Sequence, residues 1–121
     1  MKMSVLFIEY PKCSTCQKAK KWLLDNQIYF NDRHIVEDNP TAKEITLWYK
    51  TSGKPLKSFF NTSGMFYKSL DLKNQLQTMS EEEQIKLLAS NGMLVKRPLI
   101  IGDNFILIGF KVTEWTNTLL K

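Results

Sequence analysis

The sequence predicts an α/β fold, a four-stranded mixed sheet carrying helices, with a helical block inserted in the middle. Three observations predict it. Near the N-terminus a short apolar run of strand formers, Val5-Leu6-Phe7-Ile8, gives way to a segment of helical period and then to a second strand-like stretch. Near the C-terminus two apolar runs flank a tight polar turn and lead into a helical segment. Between them, helix-capping patterns replace strand patterns.

The first strand is bounded by Glu9 and Pro11. From Cys16 to Asn26 the period becomes helical: Ala19, Trp22 and Leu23 share one face, while Lys18, Lys21 and Asp25 point to water. Ile28-Tyr29-Phe30, continued to Ile35-Val36, suggests the second strand, and strand–helix–strand with short connections implies a parallel unit. Thr41 and Glu44 form a capping box for a helix with Ile45, Leu47, Trp48 and Tyr49 on its apolar side, ended by Gly53. Leu56, Phe59 and Phe60 suggest one helical turn, and Asn61-Thr62-Ser63-Gly64 a polar break. Ser80 and Glu83 form a second capping box, followed by Ile85, Leu87, Leu88 and Ala89, and Asn91-Gly92 closes that helix. Leu99-Ile100-Ile101 and Phe105-Ile106-Leu107-Ile108 read as a hairpin, and Val112 to Leu120 as a terminal helix. The order β-α-β, helical block, β-β-α is the plan of the thioredoxin-like fold. It is expected as a single domain over residues 1–121, with 1–36 and 96–121 as its core and 37–95 as the insertion.

The chain of 121 residues is long enough to fold without disulfide staples or a structural metal. Its net charge of +5 fits a lysine-biased soluble surface, an anionic substrate or an acidic partner. No run of five or more basic residues occurs, so direct nucleic-acid binding is not expected. The N-terminal apolar stretch is too short for a signal-peptide core or a membrane span, and a cytoplasmic protein without membrane contact is expected.

Only two cysteines occur, in Cys13-Ser14-Thr15-Cys16, and they fall between the first strand and the first helix. That junction puts Cys13 at or just before a helix N-terminus, where free backbone N–H groups and the helix dipole favour a thiolate. Lys12 adds a nearby positive charge. Cys16 lies on the same side of the first turn and can attack a mixed disulfide at Cys13. Cys13 is then the nucleophile and Cys16 the resolving thiol. The hydroxyls of Ser14 and Thr15 are donors to a thiolate or substrate, or plain capping groups. Two cysteines and one histidine fall short of a zinc ligand set, so no metal site is expected.

Arg97-Pro98 precedes the strand at Leu99, and the proline either starts that strand or forms a cis bond. In a thioredoxin-like fold this place faces the active cysteine, so Arg97 is a candidate to hold an anion or the thiolate; the alternative is a surface arginine at a strand entry. His34 reads as a solvated strand-end residue, and Trp48, Phe59, Phe60 and Trp115 as core.

Three segments resemble the arsenate reductase (ArsC)/Spx family: Tyr10-Pro11-Lys12-Cys13-Ser14-Thr15-Cys16-Gln17-Lys18-Ala19, Leu94-Val95-Lys96-Arg97-Pro98-Leu99-Ile100, and Gly109-Phe110-Lys111 leading to Trp115. The resemblance implies a redox role for Cys13 and places Arg97, before a cis proline, in its pocket. Lys12, Ser14, Thr15, Pro98 and Lys111 become substrate-binding candidates. Glutaredoxin-linked members of the family bind their oxyanion with three arginines. Arg97 matches one of these; Phe59-Phe60-Asn61-Thr62-Ser63 contains none, and the last strand offers only Lys111. The Cys-x-x-Cys pair resembles the Spx branch, whose members bind RNA polymerase and respond to thiol oxidation. The chain stops soon after Trp115, without that branch's basic extension.

Two functions therefore stand side by side. One is a small reductase cycling Cys13 and Cys16 on an oxyanion such as arsenate, a protein disulfide or a mixed disulfide. It has no bound cofactor and draws electrons from glutathione/glutaredoxin or thioredoxin. The other is a redox-sensing regulator whose disulfide switches contact with RNA polymerase.

Overall fold

Strand β1 (Ser4–Glu9) forms over a continuous apolar run that is buried on both faces from Phe7 to Glu9, and its partners extend it into a four-stranded sheet of order β2-β1-β3-β4. The computed structural model describes residues 4–121. The chain divides into two compact units, one ending at His34 and resuming at Arg97–Lys121, the other spanning Ile35–Lys96.

In the first unit, helix α1 (Ser14–Asp25) carries the chain from β1 to the parallel strand β2 (Tyr29–His34), in register from Ser4↔Tyr29 to Glu9↔His34. The helix ends in a Schellman motif. Ile28 N–H reaches Leu23 O (3.0 Å), Gln27 N–H reaches Leu24 O (3.1 Å), and Gln27 takes the left-handed conformation at φ 56°. Ile28 then packs on the core cluster that contains Leu23, the hydrophobic contact that accompanies this motif.

Strand β3 (Leu99–Ile101) pairs antiparallel with β1, and β4 (Ile106–Ile108) pairs antiparallel with β3. The Gly102 N–H bond to Phe105 O closes the hairpin. Helix α6 (Val112–Leu119) follows. Val5 and Phe7 of β1, Ala19 and Leu23 of α1, Ile100, Leu107 and Trp115 form one buried cluster. Trp115 is completely buried, and its indole N–H donates to Gly109 O at 3.0 Å. Trp22 and Phe110 meet its ring edge-on at 5.8 and 4.8 Å.

The second unit is helical. Helix α2 (Ala42–Ser52) starts at the expected capping box of Thr41 and Glu44, and left-handed Gly53 ends it. Helix α5 (Glu81–Ser90) starts at the capping box of Ser80 and Glu83, and the Tyr49 hydroxyl donates to Glu81 at 2.7 Å. Two short helices, α3 (Met65–Ser69) and α4 (Leu72–Gln75), separate them. The 59–61 and 94–96 segments are stitched by Lys96 N–H to Phe59 O and Asn61 N–H to Leu94 O, both 2.8 Å. Trp48, Phe59 and Phe60 are buried, as their aromatic character suggested.

Several boundaries differ from the sequence reading, two of them near the cysteines and β2. Ile35 and Val36 lie outside β2, because β1 offers no backbone partner beyond Glu9. Helix α1 starts at Ser14 rather than Cys16, because Cys13 takes the N-cap position. Among the described residues no helix is long and apolar enough to cross a membrane.

Candidate functional site around Cys13 and Cys16

The chain leaves β1 at Tyr10 and turns, with Cys13 N–H bonded to Tyr10 O at 2.9 Å. Cys13 is the N-cap of α1, with extended backbone at φ −88° and ψ 121°, and its carbonyl accepts the first helical bond from Gln17 N–H at 3.1 Å. No side chain caps the helix, and its first turn holds no acidic residue. The Cys13 sulfur therefore has the helix start to itself.

The two thiols are free, adjacent and unlike. Cys13 is half-buried and Cys16 fully buried. Partial burial of Cys13 works against ionisation, but this is outweighed. The backbone N–H and thiol of Cys16, the Arg97 guanidinium and the backbone N–H of Thr15 all favour the thiolate, and Cys13 lies below the ordinary thiol value. Cys16 moves the other way. Burial first, then its role as donor to Cys13 and the charge developing there, push it up to about 12, against an opposing Tyr10 backbone contact and the Arg97 charge. The two neighbouring thiols are thus shifted in opposite directions, Cys13 toward the thiolate and Cys16 toward the thiol.

Arg97 is half-buried and joined to Pro98 by a cis peptide bond. Its guanidinium carbon lies 5.3 Å from the centre of the Tyr10 ring, and this ring also meets His34 edge-on at 5.8 Å. Pro98 is buried, and its carbonyl accepts from Gly109 N–H at 2.8 Å, continuing the β3–β4 pairing.

Cys13, Cys16 and Arg97 act on one another just beyond β1, and Pro98 follows Arg97 at the entry to β3. Ser14 and Thr15 are exposed; the bonds from this stretch to the Cys13 sulfur come from backbone, not from their hydroxyls. Lys12 is exposed, and the positive charge acting on Cys13 is that of Arg97. Lys111 is exposed at the N-cap of α6, outside the set of groups acting on either sulfur. Among the described residues no three His, Cys, Asp or Glu side chains converge to hold a metal ion.

Sequence reasoning missed Tyr10 and Glu9. Tyr10 gives no isolated signal. Glu9 does: alternation puts Val5, Phe7 and Glu9 on one face of β1, so a carboxylate stands where a core residue belongs. It is 3% exposed, and Lys20 of α1 bridges it (3.4 Å) to Asp32 of β2 (2.8 Å).

The comparisons agree with this architecture. A sequence model described as the ArsC family matches residues 8–118. The chain is 52% identical to the uncharacterized protein YusI of Bacillus subtilis (strain 168), over 93% of this chain and 96% of that one. It is 29% identical to the regulatory protein MgsR of the same organism, over 94% and 89%. Among solved structures, an ArsC family related protein of Bacteroides fragilis superimposes with TM-score 0.92 at 57% identity, covering 97% and 98%. One titled a possible arsenate reductase from Streptococcus mutans UA159 superimposes with TM-score 0.85 at 44% identity, covering 92% and 94%. With a thioredoxin-like sheet, a Cys-x-x-Cys pair at the start of its first helix and an arginine before a cis proline, the chain belongs to the ArsC family.

Proposed function

We propose that this protein is a thiol–disulfide oxidoreductase that acts on disulfides through Cys13 and Cys16. The opposed acidity of the two neighbouring thiols carries this reading. The Cys13 thiolate attacks one sulfur of a substrate disulfide, forming a mixed disulfide and expelling the other sulfur as a thiolate. Cys16 gives up its proton and attacks the Cys13 sulfur. The Cys13–substrate bond breaks, the second substrate thiolate leaves, and a Cys13–Cys16 disulfide remains. An external dithiol or thiol donor, of thioredoxin or glutathione/glutaredoxin type, returns two electrons and restores both thiols. A reducing, cytoplasmic setting suits such a cycle.

A disulfide substrate is favoured over arsenate by the charge at the site. The one arginine acting on Cys13 is Arg97, and Lys12 and Lys111 are exposed point charges. A tetrahedral oxyanion is held best by several planar guanidinium forks. A reduction assay supplying both donor systems, with arsenate and a model disulfide in parallel, tests this. Disulfide turnover abolished by Cys13→Ser supports the reading, arsenate turnover alone redirects it to oxyanions, and no turnover on either overturns it.

The likeness to the regulatory protein MgsR favours a second reading, a regulator; on the resemblance to the Spx branch, its disulfide alters contact with RNA polymerase. Polymerase co-purifying with the reduced but not the oxidised protein, without turnover, is the outcome that selects it.

A further inference from the structure

Resting on the disulfide-exchange reading, we infer that the disulfide this protein exchanges is carried by an acidic polypeptide segment, which Lys12, Lys18 and Lys111 receive beside Cys13.

The net charge is unevenly placed. The first unit carries nine Lys and Arg against five Asp and Glu, and the second eight against seven, so +4 of the net +5 belongs to the unit that holds both cysteines. Within that unit the acids are engaged, remote or half-buried. Glu9 is buried and, with Asp32, held by Lys20, while Asp25 pairs with Lys21 at the C-terminal end of α1. Asp103 stands in the hairpin turn, at the end of β3 away from Pro98, and Glu114 is half-buried in α6.

Three other lysines border the reactive thiol. Lys12 precedes Cys13 in the turn after β1. Lys18 follows Ser14 by one helical turn on the exposed side of α1, about 7 Å along the axis from Cys13. Lys111 is two residues beyond Gly109, whose N–H is bonded to the carbonyl of Pro98, the residue after Arg97. That bond and the Arg97–Tyr10 contact join residues 10–18, 97–102 and 109–113, which contain Lys12, Lys18, Arg97 and Lys111 and no acidic side chain. All three lysines are exposed, and among the described residues none of them enters an ion pair.

Their form selects the kind of anion. A compact oxyanion is held by convergent, planar donors, and exposed lysines on three separate segments are neither. Carboxylates spaced along an extended chain, at about 3.3 Å per residue, match charges set this far apart. Each exposed ion pair contributes little alone. Charges of one sign around a site nevertheless raise the rate at which an oppositely charged partner arrives, and salt screens that effect.

Three cysteine peptides, each activated as a mixed disulfide with thiopyridine and flanked on both sides by Glu, Gln or Lys, separate recognition from chemistry. Attack of Cys13 on the peptide sulfur expels thiopyridone, which is read by absorbance. Each rate is divided by that peptide's rate with free mercaptoethanol. If none of the three releases thiopyridone, the exchange reading itself fails before recognition is tested. Given release, the Glu peptide should react about 10- to 100-fold faster than the Lys peptide at low ionic strength, with the Gln peptide between them. That ratio should shrink to less than about threefold in about 1 M salt. It should fall likewise at low salt in a variant carrying Lys12→Gln, Lys18→Gln and Lys111→Gln together. The ratio cancels any change in the reactivity of Cys13, because both peptides meet the same thiolate. Equal rates for the Glu and Lys peptides at low salt, or a ratio untouched by the triple substitution, would overturn the proposal. So would a peptide with one flanking Glu that reacts as fast as the fully flanked one, since that marks a small anion rather than a segment.

Discussion

Arg97 lies against Tyr10, its guanidinium carbon 5.3 Å from the ring centre, so the charge that acts on Cys13 rests against an aromatic plate. Tyr10 also supplies the carbonyl that fixes Cys13 N–H. Tyr10, the residue after β1, thus contacts both the Cys13 backbone and the Arg97 side chain. Such a cation–π contact contributes about 0.5–2 kcal/mol, depending on desolvation.

Removing the ring while keeping the backbone tests that role. Tyr10→Ala should slow alkylation of Cys13 at neutral pH by roughly threefold to tenfold as Arg97 loses its support. Tyr10→Phe should react like the unmodified protein. Rates with a haloacetamide, with the site located by peptide mass, provide the measurement.

The Arg97 charge itself should be visible in the thiol titration. Thiolate absorbance against pH should place the Cys13 midpoint below the ordinary thiol value. Arg97→Ala should move it upward, and Arg97→Lys should leave it between the two, since an ammonium keeps the charge but not the planar fork. An unmoved midpoint in Arg97→Ala would remove Arg97 from the site.

Glu9 makes stability depend on pH with a definite sign. Its folded value of about 7 lies above its ordinary 4.5, so between those limits the folded protein binds more protons than the unfolded chain. Its contribution is complete below about 4.5 and is lost as pH rises through 7. The loss amounts to at most about 3 kcal/mol. Asp32 shifts downward, so its contribution is lost only at more acidic pH. Denaturant midpoints should therefore fall from pH 5 to pH 8 in the unmodified protein and fall less in Glu9→Gln.

Gly92 is fixed by space. A Cβ there would come within 1.9 Å of the Ile35 carbonyl oxygen and 3.0 Å of Val36 Cα, both backbone atoms. Gly92→Ala should destabilise the protein by about 1–3 kcal/mol or more, read as a lower denaturant midpoint.

Much of this architecture is legible in residue order because local and long-range preferences agree. The two capping boxes, the hairpin turn and the apolar faces of α1 and α6 each follow from a short pattern that tertiary packing then reinforces. Helices α3 and α4 were not legible: five and four residues are too few to show a period, and Asp71 joins them in a left-handed conformation that its side chain does not announce. At the site, Cys13 and Cys16 could be named because their spacing at a strand-to-helix junction implies chemistry, and Arg97 because it precedes Pro98 at a strand entry and matches the family resemblance. Lys12 illustrates the limit. Adjacency in sequence suggested its charge, whereas the structure gives that place to Arg97, more than eighty residues away. The Glu9–Lys20–Asp32 cluster requires the register of β1 with β2 and the rotation of α1, which no local pattern contains.

The division of labour between the two cysteines is tested most directly by trapping. A Cys16→Ser variant and the unmodified protein are each mixed with a model disulfide, and the adducts are located by peptide mass. The variant should retain one substrate thiol on Cys13, while the unmodified protein should retain none and contain a Cys13–Cys16 bond. An adduct on Cys16, or a stable adduct on Cys13 with Cys16 still present, would contradict this assignment.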